Sequence, residues 1–208
     1  MNDFELSVGG FLSALASPAP TPGGGTAAAI AGAMGAGLAE MVTALTLARE
    51  KYAASHDAMR PIARGAAAAR EELLALAWQD AEAYDEVVAA RRLPKDTDEQ
   101  KRRRDERISA ANRRAAEVPL GTARAAGELL QAMPELARKG NPNAASDAGA
   151  AALLLEAAVQ AALLNVAINL SGVSDEDFVA RMRREASRLQ ADAERLRAEV
   201  LEIVRTRS

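Results

Sequence analysis

One aspartate stands where a helical repeat of apolar residues calls for another apolar side chain. Between Met59 and Arg91, apolar residues recur at alternating steps of four and three, the spacing of a helix face that packs against neighbours. Asp80 takes one position of that series, and Tyr84 follows one turn later. A carboxylate removed from water must be paired, hydrogen-bonded or protonated. Asp80 is therefore either a structural carboxylate or a general acid or base in a cleft.

A turn rich in proline and glycine precedes a nearly uncharged helix in the stretch Ser17 to Ala48. Three prolines and three glycines end any helix before them, and Thr26 or Gly25 can open the next one, in which Glu40 is the only charge. The backbone N–H groups at the start of this helix can cradle an anion, although tight packing of the turn explains the glycines equally well. The residues concerned are Pro22, Gly23, Gly24, Gly25 and Thr26.

A second turn, Lys139 to Gly149, precedes a second apolar helix that ends at Leu170. Gly140, Asn141 and Pro142 enforce the turn, and Ser146 or Asn143 can cap the helix. Asp147 then falls in the first helical turn, where the helix dipole stabilises a carboxylate. Farther along, Asn165 and Asn169 lie one turn apart and either join helices or orient a ligand.

The remaining chemistry-bearing residues are few. His56 is the only histidine and there is no cysteine, so a histidine triad and thiol chemistry are excluded and a multi-histidine metal site is disfavoured. Surface charge is carried mostly by arginine, whereas Lys51, Lys95 and Lys139 stand in or beside loops. This placement indicates positions where an amine is needed.

Composition predicts the elements that hold these residues. Abundant alanine, 3% aromatic residues and no long β-branched runs indicate an all-α fold, an up-and-down bundle of long helices in one domain over residues 1–208. Pro119 is expected to kink or restart one of these helices, and Ser174 with Asp177 resembles a capping box. The first three predicted helices run from Asn2 (capped by Asn2 or Asp3) to Ala16, from Gly25 or Thr26 to Arg49 or Tyr52, and from Met59 to Arg91. The next two run from the Leu93–Thr97 break to Pro119 and from Leu120 to Ala132, and a short helical turn follows at Met133–Pro134. The last two run from the second turn to Leu170 and from Ser174 onward.

Charge and hydropathy exclude several classes of protein. The net charge is −3, and acidic residues interleave with the basic run Lys101 to Arg107, which argues against a nucleic-acid partner. The acidic N-terminus does not resemble a signal peptide. The two apolar helices are long enough to span a membrane, but the carboxylates Glu40 and Glu156 favour helices of a soluble core. The lack of cysteine fits a reducing, cytoplasmic compartment.

Taken together, these motifs resemble the cyclodeaminase/cyclohydrolase family, which comprises the C-terminal domain of formiminotransferase-cyclodeaminase and stand-alone bacterial relatives such as methenyltetrahydrofolate cyclohydrolases. The resemblance covers nearly the whole chain. The matching stretches are Phe11-Leu12, Ser17 to Ala28, Leu45 to Tyr52, Asp80 to Tyr84, Leu93-Pro94-Lys95, Glu117 to Leu120, Lys139 to Asn143, Ser146 to Gly149 and Leu164 to Leu170.

The resemblance implies a helical homodimer with a folate-binding cleft near the subunit interface. The implied reactions are closure of formiminotetrahydrofolate with loss of ammonia, or hydrolysis of methenyltetrahydrofolate, on a substrate with or without a polyglutamate tail. No metal, flavin or nicotinamide is implied. A catalytically silent helical protein that retains the fold is the alternative.

The resemblance also assigns roles to the residues at motif positions. Asp80, Asp147, Lys51 and Lys95 are the expected acid, base and charge-stabilising groups. The two turns are expected to bind the pterin or the glutamate carboxylate. The expected binding residues are Pro22, Gly23, Gly24, Gly25, Thr26, Lys139, Asn141, Asn143, Asn165 and Asn169.

Overall fold

A computed structural model describes residues 7–207 of the chain. Within this range the secondary structure is helical and contains no strand, which confirms the all-α prediction. The helices are α1 (Val8–Leu15), α2 (Gly24–Leu47), α3 (His56–Arg91), α4 (Asp98–Lys139), α5 (Ala145–Leu170) and α6 (Glu176–Arg207). Short 3-10 helices occupy Glu50–Ser55 and Pro142–Ala144.

Helices α2 to α5 form an antiparallel up-and-down bundle. Each packs against the next in the chain, α2 closes the ring against α5, and α6 lies against α4 and α5. One apolar core runs through the helices from α2 to α6. We call the end where α2 begins and α5 ends the head, and the end where α2 ends and α5 begins the foot.

Small residues let α2 and α5 approach closely in the middle of the bundle. A Cβ atom on Gly35 would lie only 3.0 Å from the Ala151 carbonyl oxygen and from Leu155 Cγ. Alanine at this position would therefore require Ala151 and Leu155 of α5 to shift by a few tenths of an ångström. The glycines and alanines of α2 thus permit its close packing against α5.

Helix ends differ from the predicted ones in places. Helix α3 begins at His56, so Pro61 lies inside the helix rather than in its first turn. Helix α1 begins at Val8 with Ser7 as its N-cap, and the predicted caps, Asn2 and Asp3, lie outside the described residues. Helix α2 ends at Leu47, ahead of the expected end, because a 3-10 segment follows.

Helix α4 is continuous over 42 residues, so the predictions of a restart at Pro119 and of a separate turn at Met133–Pro134 are wrong. Pro119 has no N–H to donate to the Ala115 carbonyl, which an unbroken helix would require. Instead, the Asn169 side chain of α5 donates an amide N–H to that oxygen at 2.7 Å. A tertiary contact thus replaces the missing helical hydrogen bond.

Two predicted caps are also replaced by neighbours. The turn before α5 is capped by Asn141, whose side-chain oxygen accepts from the Asn143 backbone N–H at 3.1 Å, rather than by Ser146 or Asn143. At the start of α6, Asp175 accepts from the Phe178 N–H at 2.9 Å in place of the Ser174 capping box. In both cases the cap lies close to the predicted residue along the chain.

The two apolar helices pack as parts of the bundle. Helix α2 and the segment Pro142–Leu170 are long and apolar enough to cross a membrane, a test that the core helices of soluble proteins also pass. Glu40, the one charge in α2, forms an ion pair with Arg70 of α3 at 2.6 Å. This arrangement agrees with the predicted core helices.

Candidate active site

A cleft of about 320 Å³ opens at the head of the bundle. The turn before α2 forms one side of it, and side chains of α3, α4 and α5 form the rest. The residues that line it are Pro20, Thr21, Gly23, Gly24, Gly25, Asp80, Tyr84, Val87, Arg91, Asn112, Ala115, Asn165, Ile168 and Asn169. The cleft thus joins the first predicted turn, Asp80 and both predicted asparagines.

Asp80 is the only carboxylate that lines this cleft among the described residues. The buried Thr26 hydroxyl donates to Asp80 Oδ2 at 3.0 Å. Burial raises the pKa of the Asp80 carboxyl above its ordinary value, while hydrogen bonds from the Thr26 side chain and backbone act in the opposite direction. A carboxyl group in a cleft can accept a proton and return it during a reaction.

Gly25 makes room for this carboxylate. A Cβ atom built on Gly25 would lie 2.2 Å from Asp80 Oδ1, which no real contact allows. The glycine therefore lets the start of α2 and the Asp80 carboxylate come into contact. The contact shows that Gly25 is needed for close packing against Asp80, one of the two explanations that the sequence offered for the glycines of this turn.

Three asparagines supply amide oxygens around the cleft. Each uses its amide nitrogen to donate to a backbone carbonyl: Asn112 to Gly172 at 3.1 Å, Asn165 to Ala161 at 3.0 Å, and Asn169 to Ala115 at 2.7 Å. These bonds fix the orientation of each amide, since its nitrogen must face an acceptor. Within residues 7–207 no bond reaches the three amide oxygens, and none of these atoms is both buried and unsatisfied. They are available to accept N–H groups of a ligand.

Sequence reasoning missed several residues of the cleft. Tyr84, Val87 and Arg91 follow Asp80 at steps of four, three and four on α3, so the helical repeat itself contained the signal. Asn112 had no such signal, because it lies on a long charged helix of another part of the chain. Only the antiparallel packing of α3, α4 and α5 brings it to the cleft.

Other predicted residues lie at the foot, at the far end of α2. A helix of 24 residues is roughly 35 Å long, so the two turns of one chain cannot contact the same small molecule. Asp147 lies in the first turn of α5, as predicted, and Lys139 pairs with Glu135 at 2.8 Å. Lys51 Nζ lies over the Tyr52 ring, 4.7 Å from the ring centre.

Asn141 holds the foot together. Its side-chain oxygen accepts from the Tyr52 hydroxyl at 2.9 Å, and its backbone N–H donates to the buried Thr46 hydroxyl at 2.8 Å. Arg207 donates to the Gly140 carbonyl at 3.2 Å and also to the Ala137 carbonyl. These bonds join α2, the first 3-10 helix, the second turn and the end of α6. The predicted binding residue Asn143, by contrast, is exposed to solvent.

Two further predicted residues lie at the head without lining the cleft. Lys95 is exposed on the loop between α3 and α4. Pro22 is partly buried in the turn before α2, next to residues that do line the cleft. Among the described residues, no group of three His, Cys, Asp or Glu side chains is placed to hold a metal ion.

Comparison with known proteins assigns this architecture to a family. The sequence profile of formiminotransferase-cyclodeaminase matches residues 7–188. The chain belongs to this family. The cyclodeaminase family includes a methenyltetrahydrofolate cyclohydrolase from Methylorubrum extorquens that is 40% identical over 197 residues, or 95% of both chains.

Two other members extend the comparison. The formimidoyltransferase-cyclodeaminase of Sus scrofa is 38% identical over 95% of this chain, which matches 36% of that larger protein. The crystal structure of formiminotetrahydrofolate cyclodeaminase from Thermotoga maritima superposes with a TM-score of 0.87 at 33% identity and covers 98% of both chains. The family and the helical fold expected from the motifs are thereby confirmed.

Proposed function

We propose that this protein is a tetrahydrofolate one-carbon enzyme that hydrolyses methenyltetrahydrofolate, closes formiminotetrahydrofolate, or does both. The observation that carries the proposal is the Asp80 carboxylate, half-buried in the head cleft and hydrogen-bonded to Thr26. The similarity to a cyclohydrolase of matching length and to a cyclodeaminase of matching fold supports this substrate class.

In the hydrolytic reaction Asp80 acts as the general base. The ionised carboxylate takes a proton from water as its oxygen bonds to the methenyl carbon, and the new adduct is neutral. The protonated Asp80 then returns that proton to the departing ring nitrogen when its bond to carbon breaks. The hydroxyl proton of the adduct passes to solvent, so one proton is released in each turnover.

In the cyclodeaminating reaction the same group acts as the acid. A folate nitrogen attacks the formimino carbon, and the proton of that nitrogen passes to the former imine nitrogen. A protonated Asp80 then donates a further proton to this nitrogen, which departs as ammonia and leaves the methenyl cation and the Asp80 carboxylate. The pKa of Asp80, raised by burial, increases the fraction of this carboxyl that is protonated near neutral pH. The raised pKa therefore favours the acid role of Asp80 in this reaction.

The amide oxygens of the cleft fit the ligand class. A reduced pterin presents several N–H groups along one edge, and the oxygens of Asn112, Asn165 and Asn169 are acceptors in fixed orientation. We expect no cofactor besides the tetrahydrofolate substrate, and we expect the enzyme to work in the cytoplasm.

We also propose that the enzyme is a homodimer joined through the outer face of α2 and α5. Large apolar side chains are exposed along this face, with Met34 at 58%, Leu164 at 68% and Ile168 at 71%. Several large apolar side chains exposed on neighbouring helices are typical of an interface. Because Ile168 also lines the cleft, the face continues into the site.

A two-fold axis across the middle of this face places the head of one subunit beside the foot of its partner. Asp147, Lys51 and the second turn then approach the Asp80 cleft of the other chain. This arrangement brings Asp80, Asp147 and Lys51 toward one site, although they lie at opposite ends of a single chain.

The function is tested by incubating the purified protein with methenyltetrahydrofolate and with formiminotetrahydrofolate and following the absorbance of the methenyl group. We expect the wild-type protein to convert at least one substrate, and the Asp80→Asn variant to lose at least about 100-fold in kcat, the contribution of general acid-base catalysis. A protein that binds neither folate would instead be a helical interaction protein. Equal turnover by wild type and Asp80→Asn would exclude the proposed role of Asp80.

A further inference from the structure

Arg91 is the one cationic side chain that lines the head cleft among the described residues, and nothing in the proposed chemistry uses it. We propose that Arg91 binds a glutamate carboxylate of the tetrahydrofolate substrate. This contact fixes the direction of the substrate, with the one-carbon centre at Asp80 and the glutamate at the end of α3. The inference rests on the proposed function and adds a specificity-determining residue to it.

The order of side chains along α3 supports this direction. Asp80, Tyr84, Val87 and Arg91 occupy one face, at steps of four, three and four, and all four line the cleft. The cleft therefore presents a carboxylate, an aromatic ring, an aliphatic group and a cation in sequence. Tetrahydrofolate has a matching order: a reacting centre, an aromatic ring with an amide, and a carboxylate.

The spacing also fits an extended ligand. Arg91 lies eleven positions after Asp80, which corresponds to roughly 16 Å along the helix axis. Because helical side chains lean toward the N-terminus, the guanidinium reaches back in the direction of Asp80. A single pterin ring leaves most of this length unused, whereas an aryl-glutamate tail extends along it.

The charge of Arg91 is available for a ligand. No carboxylate of residues 7–207 forms an ion pair with it, whereas Arg70, Arg113 and Arg124 each have an acidic partner. The backbone of Arg91 is held in place, since its carbonyl oxygen accepts from Arg104 Nε at 3.3 Å and from Nη2 at 3.2 Å. A guanidinium on such an anchored turn suits bidentate binding of a carboxylate.

Two forms of the substrate test the inference. Methenyltetrahydrofolate carries the glutamate, and methenyltetrahydropteroate lacks it. We expect Arg91→Gln to raise KM for the first by about tenfold or more at unchanged kcat, as a charge-assisted hydrogen bond is lost, and to leave KM for the second unaltered. Arg91→Lys, which keeps the charge without the bidentate geometry, should fall between wild type and Arg91→Gln.

Arg92→Gln is the matched control, since Arg92 is the exposed neighbour of Arg91 and does not line the cleft. Its KM should equal the wild-type value with both substrates. Equal effects of Arg91→Gln on the KM values of both substrates would overturn this inference and leave the proposed function intact. The same conclusion would follow if Lys95→Gln, and not Arg91→Gln, raised KM only for the substrate that carries the glutamate. If the wild-type protein converted neither methenyltetrahydrofolate nor methenyltetrahydropteroate, both the proposed function and this inference would be overturned.

Discussion

Asp80 shows how a residue that breaks a pattern becomes informative. The apolar positions of α3 are buried as predicted, and the one carboxylate among them opens into a cleft. Its environment is set by two residues of another helix, because Gly25 lacks a side chain where the carboxylate sits and Thr26 donates a hydrogen bond to it. Two residues far from Asp80 in sequence, Thr26 at 54 positions and Gly25 next to it, therefore control one acid-base group.

The raised pKa of Asp80 gives the stability of the protein a predictable pH dependence. Since the folded-state pKa exceeds the ordinary value of 3.8, Asp80 favours the fold below that pH and loses this contribution as pH rises through the raised pKa. Asp80→Asn keeps the shape but does not titrate. Unfolding free energies measured from below pH 3.8 to neutrality should show wild-type stability falling relative to the variant as pH increases. A pH-independent difference would contradict the assignment.

Thr26→Val should move the acidic limb of the activity profile. The Thr26 hydroxyl lowers the pKa of Asp80, so its removal lets burial raise that pKa further. If Asp80 must be ionised for hydrolysis, the pH at which kcat/KM reaches half its maximum increases in the variant. Thr43→Val is a matched control, because Thr43 is equally buried on the same helix and bonds to the Glu40 carbonyl instead. Its profile should overlay the wild-type curve.

Gly25→Ala should damage catalysis more than stability. The added Cβ atom would lie 2.2 Å from Asp80 Oδ1, so the carboxylate must move, and a displacement of about 1 Å can cost around 100-fold in rate. Gly65 is an exposed residue of α3, where an added Cβ atom would meet no heavy atom within 4 Å beyond the local helix backbone. Gly65→Ala should therefore stabilise the protein by roughly 0.5–1 kcal/mol and retain full activity. Turnover and thermal melts of both variants provide the check. Full activity of Gly25→Ala would contradict the geometry.

At the scale of elements, a proline in one helix positions an asparagine in another. Pro119 leaves the Ala115 carbonyl of α4 without its helical donor, and Asn169 of α5 supplies the missing bond. The same bond turns the Asn169 amide so that its oxygen is free for a ligand. The sequence offered two roles for Asn169, as a link between helices or as a ligand contact, and the structure supports the first while leaving room for the second.

This coupling predicts a non-additive pair of substitutions. Asn169→Ala leaves the buried Ala115 carbonyl unsatisfied, which should cost about 1–3 kcal/mol of stability. In a Pro119→Ala background the restored backbone N–H bonds to that carbonyl, so the same change should cost less. Urea unfolding of the four proteins measures the coupling energy, which we expect to reach about 1 kcal/mol. Additive effects would show that the two residues act independently.

Most helices could be predicted from the sequence because their signals are local. The seam of α3, the break after Leu93 and the first-turn position of Asp147 depend only on spacing and turn residues. The passage of α4 through Pro119 and the anchoring of Asn141 to Thr46 could not be predicted, because each depends on a contact made by a residue far away in sequence. The cleft follows the same division, with Asp80 visible in the pattern and Asn112 visible only in the packed bundle.

At the scale of the whole molecule, the bundle separates two sets of residues that the family motifs contain. The head holds Asp80 and the amides, while the foot holds Lys51 and Asp147. Within one chain the foot is held together by the hydrogen bonds of Asn141 to Tyr52 and Thr46. Its exposed side chains acquire a catalytic role only if a second chain brings them to a head cleft, which the apolar face of α2 and α5 makes physically reasonable.

Subunit complementation tests this assembly directly. Asp80→Asn and Asp147→Asn homodimers should each be inactive, since every site then lacks one carboxylate. After the two variants are unfolded, mixed in equal amounts and refolded, each heterodimer contains one site with both substitutions and one intact site. Because heterodimers form about half of the population, activity should recover to about a quarter of the wild-type value.

Sedimentation of each variant confirms that dimers are present before the mixture is assayed. A mixture of Asp80→Asn with itself, treated identically, is the control and should remain inactive. If the mixed sample stays inactive while the heterodimer is demonstrably formed, both carboxylates act within one chain or only one is needed, and the head-to-foot arrangement is wrong. Recovery of activity would instead require that each site draws Asp80 and Asp147 from different subunits, because the two lie at opposite ends of the same bundle.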